Sequence, residues 1–329
     1  MTIFLVTGGN GFIGTNFITM LRKQWHTPYF VHIVDIQAPK IPLQNNEQWH
    51  NINILDKPAV FALFEQVQPQ QVVHLAAETA CLPHMVMSDY ETNTIGSENI
   101  FDACQQYQVD FLVHTSTQFV HQAQTQPTSD TDYAPHTVYG ESKIIAEKTL
   151  RQERYTFNWT IIRPTNVWGP WHLRYPYEFW KVMRDGKYFH PGQKKVIRSY
   201  GYVGNVCEQV LSIIQRRNEP VIARQVFYVG DEPINLLDWV NAFSLAIKKR
   251  PVRIIPTSFV YLLACGGSAL QKCKISFPIT LSRYKSMTSD NPAPMKKTFE
   301  VLGTPSVSLQ EGVKITTEWL QHFWQTSRI

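Results

Sequence analysis

The first fourteen residues narrow the choice of fold more than any other stretch. The apolar run Ile3-Phe4-Leu5-Val6 enters Thr7-Gly8-Gly9-Asn10-Gly11-Phe12-Ile13-Gly14 and continues as a helix-forming segment. Glycines permit a tight turn, let the backbone approach a pyrophosphate, and let helix and strand pack closely, while the helix N-terminus offers N–H groups to phosphate oxygens. The spacing is GxxGxxG, a weak pattern by itself; the strand before it and the helix after it supply the context that the motif needs. A second apolar run, residues 31–34, ends in Asp35, a carboxylate suited to accept hydrogen bonds from an adenosine ribose and to repel a 2′-phosphate. These features predict a dinucleotide site and favour NAD, with Lys40 near enough to keep NADP open.

Short β-branched or aliphatic runs recur at 72–75, 111–114 and 160–162, separated by helical stretches at 12–25, 58–66, 90–107 and 139–154. Such alternation builds a parallel sheet covered on both faces. Beyond Arg163, prolines and glycines punctuate short aromatic segments, and the run 226–229 reads as a strand returning to the sheet. The expected division is a dinucleotide-binding domain over 1–165, with a returning segment near 203–230, and a smaller discontinuous lobe from 166–202 and 231–329.

Bulk properties exclude several classes. With 329 residues, 43% of them hydrophobic and 17% charged, the chain can bury a full core. Its net charge of +5 is scattered, and the densest basic run, Lys248-Lys249-Arg250, has no interleaved aromatics, so nucleic acid is not an expected partner. Five cysteines, Cys81, Cys104, Cys207, Cys265 and Cys273, show neither a CxxC pair nor zinc spacing, which points to reduced thiols and no metal. The strand-like start leaves no room for a signal peptide, and a cytoplasmic location is expected. The apolar stretch from Phe259 to Leu270 is too short to span a bilayer and is expected to pack as an amphipathic helix rather than touch a membrane.

Tyr139-Gly140-Glu141-Ser142-Lys143 puts a tyrosine and a lysine at i and i+4, on one face of a helix. An ammonium there lowers the phenol's pKa and makes tyrosine a usable acid and base. His114-Thr115-Ser116-Thr117 follows the strand at 111–114 and therefore lies at the carboxyl end of the sheet, where open α/β proteins bind ligands. His74 reads as a satisfied core residue. Trp168, Trp171, Tyr175, Tyr177 and Trp180 form an aromatic cluster that suits either stacking on a sugar or packing of the second lobe.

Together with His74-Leu75-Ala76-Ala77, Asn93 with Gly96, and Arg163-Pro164-Thr165-Asn166-Val167-Trp168-Gly169-Pro170, these motifs resemble the extended short-chain dehydrogenase/reductase family, in its branch of nucleotide-sugar epimerases and dehydratases, over nearly the whole chain. The resemblance implies a Rossmann-type doubly wound sheet, bound NAD, a UDP- or dTDP-linked sugar substrate, and a homodimer packed through the helices at 90–107 and 139–154. It implies that Thr117, Tyr139 and Lys143 are catalytic. NAD would be held by Gly8, Gly11, Phe12, Ile13, Gly14, Asp35, Asn53, Ile54, Leu75, Ala76, Ala77, Asn93, Tyr139, Lys143, Pro164 and Val167. On the substrate side it points to Glu78, Thr117, Gln118, Asn166, His190 and Arg198, the last as a bidentate partner of the diphosphate.

Departures from the family pattern bear on the reaction. Where 4,6-dehydratases carry an Asp-Glu pair this chain has Gln118 and Phe119, neither of which acts as acid or base, so dehydration is disfavoured. His121 and Gln122 replace a Tyr-Gly pair, Asn53 replaces an aspartate beside the adenine, and Asn205 replaces an aspartate in the substrate lobe. The leading expectation is an NAD-dependent C4 epimerase. A net NAD(P)-dependent oxidoreductase, acting on a nucleotide sugar or another alcohol such as a sterol-like one, and a catalytically inactive NAD-binding protein are the alternatives.

Overall fold

The computed structural model describes residues 1–122, 125–172, 179–272 and 279–326. Its centre is a sheet of β1 (Thr2–Thr7), β2 (Tyr29–Val34), β3 (Glu47–His50), β4 (Gln71–His74), β5 (Phe111–Thr115), β6 (Asn158–Pro164) and β7 (Gln225–Val229). These seven strands lie in the order β7-β6-β5-β4-β1-β2-β3, and every neighbouring pair is parallel. Parallel strands covered on both faces read as continuous apolar runs, which is why Phe4, Leu5, Val6, Ile33, Val72, Val73, Leu112, Val113, Ile161 and Ile162 are all buried. β3 escaped the sequence reading because Glu47-Gln48-Trp49-His50 is a polar edge strand. It is held by Glu47, which is buried and accepts hydrogen bonds from Arg22 Nε at 2.7 Å and Nη2 at 2.6 Å.

The helices that matter to the site are α1 (Phe12–Gln24), α2 (Lys57–Val67), α3 (Ser97–Gln106), α4 (Val138–Leu150) and α5 (Val203–Gln215). α1 buries Thr15, Phe17, Ile18 and Leu21 on one face and ends in Arg22 and Lys23, cations that suit the negative end of its dipole. Thr137 starts α4 by accepting a hydrogen bond from Gly140 N at 3.0 Å. The continuous helix expected over 90–107 is instead a 3₁₀ turn at Met87–Tyr90, a π turn at Thr92–Gly96, and then α3. In the π turn Gly96 N reaches back to Glu91 O at 3.0 Å. Gly96 is needed there because a Cβ would come within 2.8 Å of the Ile54 side chain.

The chain divides into two compact units: residues 1–171, 201–231 and 294–306, and residues 172–200, 232–293 and 307–329. Two segments fall in the first unit against expectation. Asn166–Trp168 pairs with Tyr200–Tyr202, and Asn16 Nδ2 on α1 donates to Pro170 O at 3.0 Å. The helix Lys296–Leu302 returns to β7, where Thr298 Oγ1 donates to Tyr228 O at 2.5 Å. The second unit contains α6 (Leu236–Lys248), α7 (Thr257–Lys272) and α8 (Leu281–Thr288). Its core is aromatic: Tyr200 stacks on Trp239 at 4.1 Å, and Trp180 lies 4.1 Å from Phe243. Trp180 is thus a packing residue, while Tyr175 and Tyr177 lie outside the described residues.

Candidate active site

The strand order reverses between β1 and β4, and the loops leaving their carboxyl ends meet there backbone to backbone. Gly8 has φ +67°, and a Cβ on it would sit 2.6 Å from Ala76 N and 2.8 Å from the Leu75 carbonyl carbon. A Cβ on Gly14 would strike the Gly8 carbonyl oxygen and come within 2.5 Å of Gly9 Cα. The turn is therefore closed to side chains. Gly11 gives α1 no side-chain cap, and the first helical turn carries no acid, so the positive end of the helix is left to an anion.

Asp35 borders this turn. Its Oδ2 accepts from Asn10 N and its Oδ1 from Gln37 N, both at 2.9 Å, and Asn10 Nδ2 donates to Gln37 O at 2.6 Å. Lys40 lies within electrostatic range: partial burial lowers its pKa, and the Asp35 charge pushes it back up. On the next loop, Ile54 is buried and its carbonyl accepts from Asn99 Nδ2 at 2.9 Å, whereas Asn53 is exposed and its Oδ1 accepts from Leu55 N at 3.1 Å.

Thr117 follows β5 in extended conformation. Its Oγ1 accepts from Phe119 N at 3.2 Å, and its side chain lies within electrostatic reach of the Tyr139 phenol. Lys143, one helical turn beyond Tyr139, is buried and donates from Nζ to Thr115 O at 3.0 Å. Burial lowers the lysine pKa to about 8, with Glu147 acting in the opposite sense. Burial raises Tyr139 to about 12, the Thr117 side chain works against that rise, and Cys81, Tyr90 and Glu78 add to it. The lowering of Tyr139 expected from Lys143 does not show in this balance, where desolvation dominates.

Asn93 is the hub of the site. It lies in the π turn with no exposure, its Oδ1 accepts from Glu78 N at 2.9 Å, and its Nδ2 donates to Glu78 O and Ser142 Oγ, both at 2.9 Å. Ser142 in turn donates to Tyr139 O at 2.7 Å. The loop after β4 is thus tied to the helix that carries Tyr139 and Lys143. Tyr90 completes the tie, donating to Ala80 O at 2.7 Å with its ring 6.0 Å from that of Tyr139. Ser142 and Tyr90 were missed from sequence; the only signal was that Ser142 sits inside the Tyr139 to Lys143 interval. The Glu78 carboxylate accepts from Ala80 N at 2.7 Å and stays within electrostatic range of Tyr139.

The two departures after Thr117 differ in kind. Gln118 is buried, and its Nε2 has no hydrogen-bond partner among the described residues. Phe119 packs edge-on against Tyr139 at 6.4 Å and against His136 at 5.5 Å, giving the tyrosine an apolar neighbour where a dehydratase needs an acid. His74 is the core residue expected: Nδ1 meets Thr7 Oγ1 at 2.6 Å, Nε2 meets Ser97 Oγ at 3.0 Å, and burial lowers its pKa to about 3. Behind α4, Arg163 and Glu147 form a buried pair, Nε to Oε1 at 2.9 Å and Nη2 to Oε2 at 2.7 Å, that fixes the helix against β6.

Pro164 ends β6, and Asn166 and Val167 begin the short strand that follows it. In the second unit, Arg198 Nη1 donates to Ser286 O at 3.1 Å and Ser289 O at 3.3 Å at the C-terminal end of α8, while its Nε is buried with no partner among the described residues. His190 is buried with Nδ1 3.2 Å from the Tyr188 hydroxyl. No cluster of three or more potential metal ligands occurs among the described residues.

A parallel sheet with a glycine turn at its switch point, and a threonine, tyrosine and lysine gathered beyond it, define a dinucleotide-dependent enzyme of the Rossmann class. The model of the NAD dependent epimerase/dehydratase family matches residues 4–230, and the chain belongs to that family, whose cofactor is NAD. Among solved structures, UDP-glucose 4-epimerase from Thermotoga maritima, with UDP-glucose, is similar at TM-score 0.72 and 25% identity, covering 98% of this chain and 99% of that one. UDP-glucuronic acid 4-epimerase from Bacillus cereus, in complex with UDP-glucuronic acid and NAD, gives TM-score 0.75 at 20% identity over 98% and 100% of the chains, a likeness of fold. A 3beta-hydroxysteroid-dehydrogenase/decarboxylase of Arabidopsis thaliana is 25% identical, over 97% of this chain and 79% of its own.

Proposed function

We propose that the chain is an NAD-dependent epimerase of a nucleotide sugar, UDP- or dTDP-linked, that inverts C4 through a transient 4-keto sugar. The observation that carries this reading is Tyr139 on one helix with the buried Lys143, within electrostatic reach of Thr117, with Phe119, and no acid, packed on its ring. The side-chain-free turn from Gly8 to Gly14 fits a pyrophosphate, and the backbone of Gly11, Phe12 and Ile13 would hold it at the N-terminus of α1. Asp35 would hold the adenosine ribose, Asn53, Ile54, Leu75, Ala76 and Ala77 the adenine side, and Asn93, Pro164 and Val167 the nicotinamide side. When bound, NAD supplies a site that accepts a hydride from the sugar carbon and gives it back.

The chain's own residues manage the proton. Thr117 and Tyr139 share the sugar hydroxyl; Tyr139, ionised against the burial that raises it to about 12, takes the proton as phenolate when the carbon is oxidised and returns it as phenol when the carbon is reduced. Lys143, charged at neutral pH, is the buried cation available to a ribose hydroxyl. Glu78, Gln118 and Asn166 are proposed sugar ligands. The diphosphate role of Arg198 and the base role of His190 rest on the resemblance of their segments. The protein is further proposed to be cytoplasmic and to dimerise through the 90–107 segment and α4, a reading supported by Ile95 in the π turn and Ile145 on α4, which are 48% and 41% exposed.

The test is to incubate the purified protein with UDP- and dTDP-sugars without added cofactor and to resolve epimers by NMR. Appearance of the C4 epimer is the expected result. Stoichiometric NADH instead supports a net oxidoreductase, the second reading, which the closeness of Lys40 to Asp35 favours through NADPH.

A further inference from the structure

The second unit exposes an uncharged helix face. On α7 (Thr257–Lys272), Val260, Ala264 and Gly267 are buried and point inward at i, i+4 and i+7. The opposite stripe, Phe259, Leu262, Gly266, Ala269 and Leu270, faces outward, with Phe259 54% and Leu262 67% exposed. No charged residue occurs from Thr257 to Gln271. The packed helix expected from sequence is therefore only half packed. α8 extends the same surface: Tyr261 meets Tyr284 at 5.4 Å and Leu281 N donates to Ser268 Oγ at 2.9 Å. Ile254, Tyr261 and Leu281 are 41%, 48% and 40% exposed. A helix left in water carries charge on its outer side, and contiguous apolar exposure of this kind marks an interaction surface.

The charge around it identifies the partner. Between Lys248 and Ser289 the sequence holds eight lysines and arginines and no aspartate or glutamate. Lys249, Arg250 and Arg253 precede α7, and Arg283 and Lys285 lie on α8; all five are exposed. A second copy of this face would set like charge against like. An apolar stripe about 17 Å long with exposed basic residues on the flanking segments is the chemistry of a helix lying in a lipid interface, apolar side chains in the acyl boundary and cations at anionic headgroups. No described helix is long and apolar enough to cross a membrane, so contact of this kind is peripheral.

We propose that α7 and α8 form a docking face for an anionic lipid surface, with Phe259 and Leu262 entering the interface and Arg253, Arg283 and Lys285 holding the headgroups. Each basic residue near such a surface is worth roughly fivefold in partition, so the contact is reversible and sensitive to salt.

The experiment is co-sedimentation of the full chain with vesicles of phosphatidylcholine alone or with about 30% phosphatidylglycerol, at low and high salt. The expected result is binding to the anionic vesicles only, weakened by salt, and reduced about tenfold or more both in Phe259→Ser/Leu262→Gln and in Arg283→Glu/Lys285→Glu. Far-UV dichroism and NAD binding unchanged from wild type establish that both variants are folded. Because the charge-reversal pair alters only exposed side chains, it keeps the test alive should the apolar pair misfold. Absence of binding to anionic vesicles, or equal binding by folded variants, overturns the proposal. A wild-type oligomer in sedimentation equilibrium that Phe259→Ser/Leu262→Gln dissociates also overturns it, assigning the face to a second copy.

Discussion

Asn93→Ala removes the side chain that hydrogen-bonds both the β4 loop and Ser142 on α4, the helix carrying Tyr139 and Lys143. Three hydrogen bonds are lost, to Glu78 N, Glu78 O and Ser142 Oγ, at a position with no exposure. At about 1 kcal/mol for each neutral bond the loss is about 3 kcal/mol, and groups left unpaired in the interior push it upward. For a chain of 329 residues, at about 2.1 cal/mol/K of unfolding entropy per residue, that corresponds to a fall in Tm of roughly 4 °C. Catalysis should fall further than stability implies. Ser142 carries the Tyr139 carbonyl, and once it loses Asn93 the Tyr139 phenol is less well held, which should lower kcat about 10- to 100-fold at temperatures where the variant remains folded. Differential scanning calorimetry and progress curves on the epimerisable sugar check both numbers. A Tm within about 1 °C of wild type together with an unchanged kcat refutes the assignment of Asn93 as the tie.

Tyr139→Phe should lower kcat by about 10² to 10⁴ with little change in NAD affinity, measured by turnover and by fluorescence titration; normal turnover rules out Tyr139 as the proton carrier. Gly14→Ala should abolish NAD retention, because its Cβ meets the Gly8 carbonyl, and the absorbance of the purified protein reports this directly. If the Lys143 ammonium is needed, activity falls as pH rises through about 8, while the same group contributes to stability in the opposite sense. Its folded pKa lies below its ordinary 10.5, so between the two values the unfolded chain binds more protons and this contribution to stability increases with pH. Rate profiles and melting curves between those pH values should therefore slope oppositely, and parallel slopes exclude the assignment. Glu78→Gln should raise kcat/KM for UDP-glucuronate relative to UDP-glucose by about fivefold, since it removes a negative charge near Tyr139; an unchanged ratio places Glu78 outside the sugar's reach.

The parts of the fold legible in the sequence are those that follow a local rule. β1, β2, β4, β5, β6 and β7 are runs of apolar residues buried on both faces, and the glycine turn is set by backbone sterics that only Gly8 and Gly14 satisfy. β3 and the π turn follow no local rule. The strand is held by Arg22, on another element, which neutralises Glu47, and the turn leaves no room for a side chain at Gly96 beside Ile54. In the site, Thr117, Tyr139 and Lys143 could be named from spacing. The tie through Asn93, Ser142 and Tyr90 could not, since its members come from three segments and meet only in the folded chain.

The departures from the family pattern make the same point in energetic terms. Asn205 stands where the family resemblance leads one to expect an aspartate, and it donates from Nδ2 to Asp231 Oδ1 at 2.7 Å, while Tyr202 N donates to Oδ2 at 2.7 Å. Burial raises the Asp231 pKa to about 6, and the two donated bonds oppose that rise. A second carboxylate at position 205 would face this one at hydrogen-bond distance, and two like charges that close cannot both stay ionised. The amide is thus a partner that suits the buried Asp231. Phe119 obeys the same logic, since its ring sits between His136 and Tyr139, where an acid would have to be desolvated beside an already buried phenol. Asn205→Asp should accordingly destabilise the protein most at neutral pH and recover as pH falls through about 6 and the added charge is lost, so a Tm deficit that is flat across that range would break the pairing argument.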